Sequence, residues 1–231
     1  MEIAALVIIL ALALWVVFKP VRRDARLRER DELRVDQHRR HHTEVVRRES
    51  SAANVNLTHL PVQFVVFDLE TTGLDPLRDE IIEIGAIRVN RDSVNHDTFE
   101  IIVRPVKKVP AKITQLTGIT QAMVDGGDDL DYSLRAFCKF VGDLPLVAFN
   151  ADFDMAFLRS ASNKCGVTIP QRASCALKMA RRAWPERASY KLKDLARDGN
   201  LGLEDEHRSL GDCKRALIVY TAAASRLGTT N

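Results

Sequence analysis

Apolar residues fall along this chain in three rhythms. The first is unbroken: Ile3 to Phe18 holds sixteen residues without charge, glycine or proline. Such a stretch spans about 24 Å as a helix at about 1.5 Å per residue, so it predicts an N-terminal membrane helix lengthened by Met1 and a snorkelling Lys19. A cleavable signal peptide and a helix buried in a partner are the competing readings. The flanks oppose the signal peptide: Glu2 stands where positive charge belongs, and Lys19, Arg22, Arg23, Arg26 and Arg28 follow the run. By the positive-inside rule the expected product is a single-pass membrane protein with the rest of the chain in the cytoplasm. From Val21 to Ser50 charges of both signs alternate with few apolar positions, which reads as a solvated stalk. Small polar residues from Ser51 to His59 lead to Pro61 and mark a boundary. The expected organisation is an anchor over 1–19, a stalk and linker over 20–60, and one domain over 61–228.

Within that domain the rhythm shortens. Phe64–Phe67 is a β-branched and aromatic run that predicts a buried strand, ended by Thr71-Thr72-Gly73 and Asp75-Pro76. Ile81–Val89 and Thr98–Arg104 predict two further strands, joined by the turn-forming stretch from Asn90 to Asp97, and with the first they read as an antiparallel meander. Leu144–Phe149 predicts another buried strand. Helical spacing of apolar residues appears over Lys112–Val124 and Asp129–Val141. Two more helices are expected, one opening after Asn150 and running through Met155, Phe157 and Leu158, the other running from about Gly211 through Ala216, Leu217, Val219 and Tyr220.

An apolar fraction of 46% with 28% charged residues suits a folded core. Net charge of +3 is unevenly placed: Lys19 to Ser50 carries eleven Lys/Arg against seven Asp/Glu, whereas Ser51 to Asn231 carries twenty-three of each. That balance opposes a broad basic surface for long duplex nucleic acid and leaves room for a pocket gripping a few nucleotides. The basic surplus at the front suits anionic lipid headgroups. Cys138, Cys165, Cys175 and Cys213 form no CxxC pair and no zinc spacing, so reduced thiols are expected. Among the stalk histidines His38, His41 and His42, intervening arginines would repel a cation.

Candidate chemistry lies in three acidic stretches: Phe67-Asp68-Leu69-Glu70-Thr71-Thr72-Gly73, Asn150-Ala151-Asp152-Phe153-Asp154, and His207-Arg208-Ser209-Leu210-Gly211-Asp212. On a strand Asp68 and Glu70 share a face. Two carboxylates side by side at the end of a buried strand repel each other unless cations neutralise them. Carboxylate oxygens are the hard ligands of Mg²⁺ and Mn²⁺, and a pair of such ions can clamp a phosphodiester during in-line displacement. The set therefore reads as a two-metal nuclease. Asp152 and Asp154 are equally open to a plainer role as acids at a helix start. Glu83 is expected to support the site or to face water. His207 and Asp212, five apart, would lie about 140° apart on a continuous helix, so His207 belongs on the loop before the helix, free to act as general base.

In these motifs the chain resembles the DEDDh group of 3′→5′ exonucleases, which includes the proofreading subunit of the bacterial replicative polymerase, ribonuclease T and oligoribonuclease. The resemblance extends through Leu116-Thr117-Gly118-Ile119-Thr120 and Tyr190-Lys191-Leu192, from about Val62 to Arg226. It implies an α/β ribonuclease H-like three-layer fold with a central five-stranded mixed sheet. It also implies Asp68, Glu70, Asp154 and Asp212 as ligands of two Mg²⁺ or Mn²⁺ ions and His207 as the base. Thr71 by its backbone and Leu74 by wedging against the last base would hold the terminal nucleotide, with Asn150 and Phe153 lining the same pocket. Two departures stand out: Phe149 precedes Asn150 where the proofreading enzymes usually carry histidine, and Ser209 stands where they usually carry alanine.

The expected function is release of nucleoside 5′-monophosphates from free 3′ ends of DNA or RNA, single strands favoured. The alternatives are a catalytically idle module that binds strand ends and a proofreading subunit recruited to a polymerase. A homodimer is a further possibility that relatives suggest.

Overall fold

A computed structural model of the chain describes residues 60–197 and 208–228. Strand β1 (Gln63–Thr71) is longer than the Phe64–Phe67 run and carries Asp68 and Glu70 within it. Strands β2 (Ile81–Asn90) and β3 (Asp97–Ile102) complete an antiparallel meander, as the apolar runs predict. Strands β4 (Leu146–Ala148) and β5 (Ala173–Cys175) add in parallel on the other side of β1, giving a mixed five-stranded sheet in the order β3-β2-β1-β4-β5. The expected strand over Leu144–Phe149 is thus trimmed at both ends. Pro145 offers no N–H for the ladder, although its carbonyl accepts from Val65 N at 2.9 Å.

Seven helices surround the sheet among the described residues: α1 (Ala111–Thr117), α2 (Gln121–Asp125), α3 (Leu130–Val141), α4 (Ala151–Cys165), α5 (Ala176–Ala183), α6 (Leu192–Arg197) and α7 (Ser209–Gly228). The helical spacing over Lys112–Val124 resolves into two helices. Gly118 takes a left-handed conformation, φ 73°, which ends α1, and the Thr120 side chain then accepts from Met123 N to start α2. Helix α3 begins where Asp129 accepts from Tyr132 N at 2.8 Å. The last helix begins at Ser209, two residues before the position that its apolar spacing suggested.

Period-two alternation divides the core. Phe64 and Val66 of β1, with Ile87 and Val89 of β2, pack against α5, α6 and α7. Val65, Phe67 and Leu69, with Ile84 and Ala86, pack on the opposite face against α3 and α4. The result is three layers with the sheet buried on both sides, as in other α/β proteins. Phe137 on α3 is fully buried, and its ring lies 5.7 Å from that of Phe67 and 6.1 Å from that of Phe99. Phe137→Ala is expected to destabilise the fold by about 3–5 kcal/mol. Urea unfolding would check this, and a loss below about 1 kcal/mol would contradict the packing assigned here.

One expectation is corrected. Among the described residues no helix is long and apolar enough to cross a membrane. The Ile3–Phe18 run, on which the single-pass membrane location rested, lies outside the described residues, as does the stalk. Neither the membrane helix nor the location is carried forward.

Candidate metal centre

The acidic centre begins with the register of two strands. Asp68 and Glu70 alternate with the inward Phe67 and Leu69, so both share the face of Phe64 and Val66, beneath the start of α7. Asp68 pairs across the ladder with Gly85 and Glu70 with Glu83. Immediately afterwards the register shifts, so that Thr71 pairs with Ile81. A bulge at that point re-aims the chain just past the second carboxylate. Asp212 arrives from the first turn of α7. Asp68, Glu70 and Asp212 each offer a carboxylate oxygen, and these lie within 4.8 Å of one another.

Asp154 joins from the first turn of α4, which follows directly from the end of β4. It is buried, and the backbone N–H groups of Leu69 and of Asp154 itself favour its charged form. Asp152, two residues earlier, points away and pairs with Lys178 Nζ at 2.7 Å. The two acids are thus placed differently: Asp154 is buried beside the group, and Asp152 is a solvated helix-start acid.

Electrostatics across the group are unfavourable in the bare protein. Burial pushes Asp68 well above the usual carboxylate range, and repulsion from Asp154, Asp212 and Glu70 adds to it. Glu70 is pushed up to about 9, first by burial and then by Asp212 and Glu83, against partial relief from Arg208. Asp154 is also raised, mainly by burial, and those two backbone N–H groups oppose the rise. One nearby cation is fixed: Arg215, itself buried, donates from Nη1 to Asp212 Oδ1 at 2.8 Å. An all-oxygen donor set whose charged forms resist ionisation fits hard divalent cations of the Mg²⁺ and Mn²⁺ kind, whose charge removes the repulsion.

The other residues expected from the sequence are placed unevenly. His207 lies outside the described residues. Thr71 is buried, and its hydroxyl donates to Gly73 O at 2.6 Å, so the side chain shapes the turn that leaves the centre. Leu74 follows on that turn with 83% of its surface exposed, available to a ligand. Asn150 is exposed at the start of α4 and makes no side-chain cap. Phe153 is half-buried, with its ring 4.9 Å from that of Phe157. Glu83 is fully buried and accepts from Arg208 and Ser209, which opens the support role and closes the solvent-facing one. Arg208 and Arg215 were not singled out from the sequence. The signal for Arg208 was an acid, Glu83, inside an apolar strand that needed a cationic partner from elsewhere. All four cysteines are free thiols, Cys175 and Cys213 buried.

Comparison with known proteins agrees with this geometry. The sequence profile of the RNase T exonuclease family matches residues 65–220. A PolC-type DNA polymerase III of Caldanaerobacter subterraneus subsp. tengcongensis is 36% identical over 165 residues, which cover 71% of this chain and 12% of that protein. A Mycobacterium tuberculosis protein named as a bifunctional exonuclease/endonuclease is 40% identical over 176 residues, covering 71% of this chain and 27% of the other. The chain therefore corresponds to a minor part of these much longer relatives. Among solved structures, E. coli Exonuclease I in complex with a dT13 oligonucleotide superposes with a TM-score of 0.59 at 18% identity, over 74% of this chain and 41% of that one. That likeness shows a shared fold. With the profile spanning most of the described domain and the acidic centre in place, the chain belongs to the RNase T exonuclease family.

Proposed function

We propose that this chain is a metal-dependent 3′→5′ exonuclease that releases nucleoside 5′-monophosphates from the ends of single-stranded DNA or RNA. The observation that carries the reading is the convergence of Asp68, Glu70 and Asp212 oxygens within 4.8 Å, with buried Asp154 beside them. Family membership supports phosphodiester hydrolysis, and the E. coli relative was solved with a short single strand. A neutral domain suits a grip on few nucleotides rather than on a long duplex.

Asp68, Glu70, Asp154 and Asp212 would hold two Mg²⁺ or Mn²⁺ ions, which when bound supply Lewis acidity and positive charge at the scissile phosphate. Arg215 holds the Asp212 carboxylate in place. Exposed Leu74 packs against the terminal base, and the turn shaped by Thr71 presents backbone to the terminal sugar. Asn150 and Phe153 line the same pocket. His207 takes the proton from the attacking water near neutral pH.

The test is to incubate the full-length protein with Mn²⁺ or Mg²⁺ and matched 5′-labelled DNA and RNA oligonucleotides. A ladder that shortens from the 3′ end, and is absent for Asp212→Ala, is expected. His207→Ala should slow the ladder by about 100-fold or more while Mn²⁺ still binds. Intact oligonucleotides in the presence of folded, metal-loaded wild type would leave a strand-end-binding module instead.

A further inference from the structure

Glu83 sits at 0% exposure near the start of β2, and both of its oxygens are taken. Arg208 donates from Nε at 3.0 Å and from Nη2 to Oε1, while Ser209 donates to Oε2 from its backbone N at 2.9 Å and its Oγ at 2.8 Å. A buried carboxylate is tolerated only when paired and hydrogen-bonded in this way. The four donors come from Ser209, which opens α7, and Arg208 just before it, so one side chain of the sheet holds the start of a helix 126 residues further along the chain.

Gly85, two residues on, makes the contact close. A Cβ there would lie 2.5 Å from Ser209 Oγ and 2.7 Å from Leu210 N, so only glycine lets the helix start touch the strand. Cys213 Sγ donates to Gly85 O at 3.3 Å from one turn later. Strand register then places both seats beside the acids: Glu83 lies opposite Glu70, and Gly85 lies opposite Asp68. Asp212 N donates to Arg208 O at 2.9 Å, so the position of Arg208 passes to Asp212 through a single helical turn.

We infer that Glu83 is a positioning residue. By clamping Arg208 and Ser209 onto the sheet where Gly85 permits contact, it sets Asp212 against Asp68 and Glu70 and thereby sets the affinity of the centre for divalent cation. The inference rests on the metal-holding role proposed above. Groups that orient a metal's ligands commonly change affinity by about 10–100-fold when altered.

The experiment is a Mn²⁺ titration of the full-length protein, following free Mn²⁺ by electron paramagnetic resonance well below the melting temperature. Wild type, Glu83→Gln, Arg208→Lys and Asp68→Asn are compared. For Glu83→Gln the Mn²⁺ dissociation constant is expected to rise about tenfold or more. Added Mn²⁺ should restore its cleavage rate, with KM for the oligonucleotide unchanged at saturating metal. A purely structural role would lower the melting temperature and leave Mn²⁺ affinity of the folded protein at the wild-type value, and that result would overturn the clamp. Should Glu83→Gln not fold, Arg208→Lys decides on the same readout, because that side chain is 32% exposed and loses only its fork geometry. Wild type that binds no Mn²⁺, or Asp68→Asn that binds as wild type does, would overturn the metal role and the clamp together.

Discussion

Asp68→Asn is expected to reduce strand cleavage by about 1,000-fold or more and at the same time to make the metal-free protein more resistant to heat. Both effects come from one cause. Asp68 lies on a central strand with Asp154, Asp212 and Glu70 around it, and burial and these neighbours all disfavour its charge. Asparagine has nearly the same shape and keeps one acceptor oxygen, so the strand and its packing survive. What disappears is a hard anionic oxygen donor, which the proposed metal role requires to draw in a divalent cation. In EDTA, relief of that unfavourable burial and repulsion is a gain, read as a higher melting temperature. Melting curves in EDTA and initial rates in Mn²⁺, measured on the same preparations, would check the pair. A variant that melts earlier than wild type in EDTA, or that cleaves at the wild-type rate, would contradict the placement of Asp68.

Raising the pH should weaken the metal-free protein, in contrast to the usual acid lability of folded domains. Glu70 is raised from 4.5 to about 9, so between these values the native state holds a proton that the unfolded chain has released. Stability then falls as pH rises, because the unfolded state binds fewer protons. The contribution is fully present below about 4.5 and is lost by about 9, with a slope approaching 1.4 kcal/mol per pH unit from this one group. Saturating Mn²⁺ should flatten or reverse the decline. The cation binds the native carboxylates and not the unfolded chain, and it displaces their protons, so its affinity grows with pH over the same interval. Urea denaturation at several pH values, with EDTA and with Mn²⁺, would show two diverging curves. Parallel curves would mean that the centre carries no mutual repulsion for a cation to relieve.

Much of this molecule is legible in its sequence. Phe64–Phe67 and Ile81–Val89 announce strands because a continuous β-branched run has few other ways to be buried, and the acids that follow Phe67 inherit a shared face from the pleat. Strand β5 was not legible: Ala-Ser-Cys has neither length nor apolar character, and it becomes a strand because β4 presents a ladder to it. Helix α1 stops short of its apolar period because Gly118 adopts φ 73°, a local signal that the periodicity hides.

The acidic residues divide along the same line. Sequence alone determined which short stretches carry carboxylates, which strand holds Asp68 and Glu70 side by side, and that Asp212 opens a helix, since backbone geometry over a few residues decides each of these. Only the tertiary structure separated Asp154 from Asp152, burying the first beside the acidic group and pairing the second with Lys178. It alone turned Glu83 from an acid of open purpose into the seat of a helix 126 residues away. Hydrophobic period and turn chemistry act between near neighbours. Strand register and the close approach at Gly85 act between distant segments, and the distances among Asp68, Glu70 and Asp212 are set there.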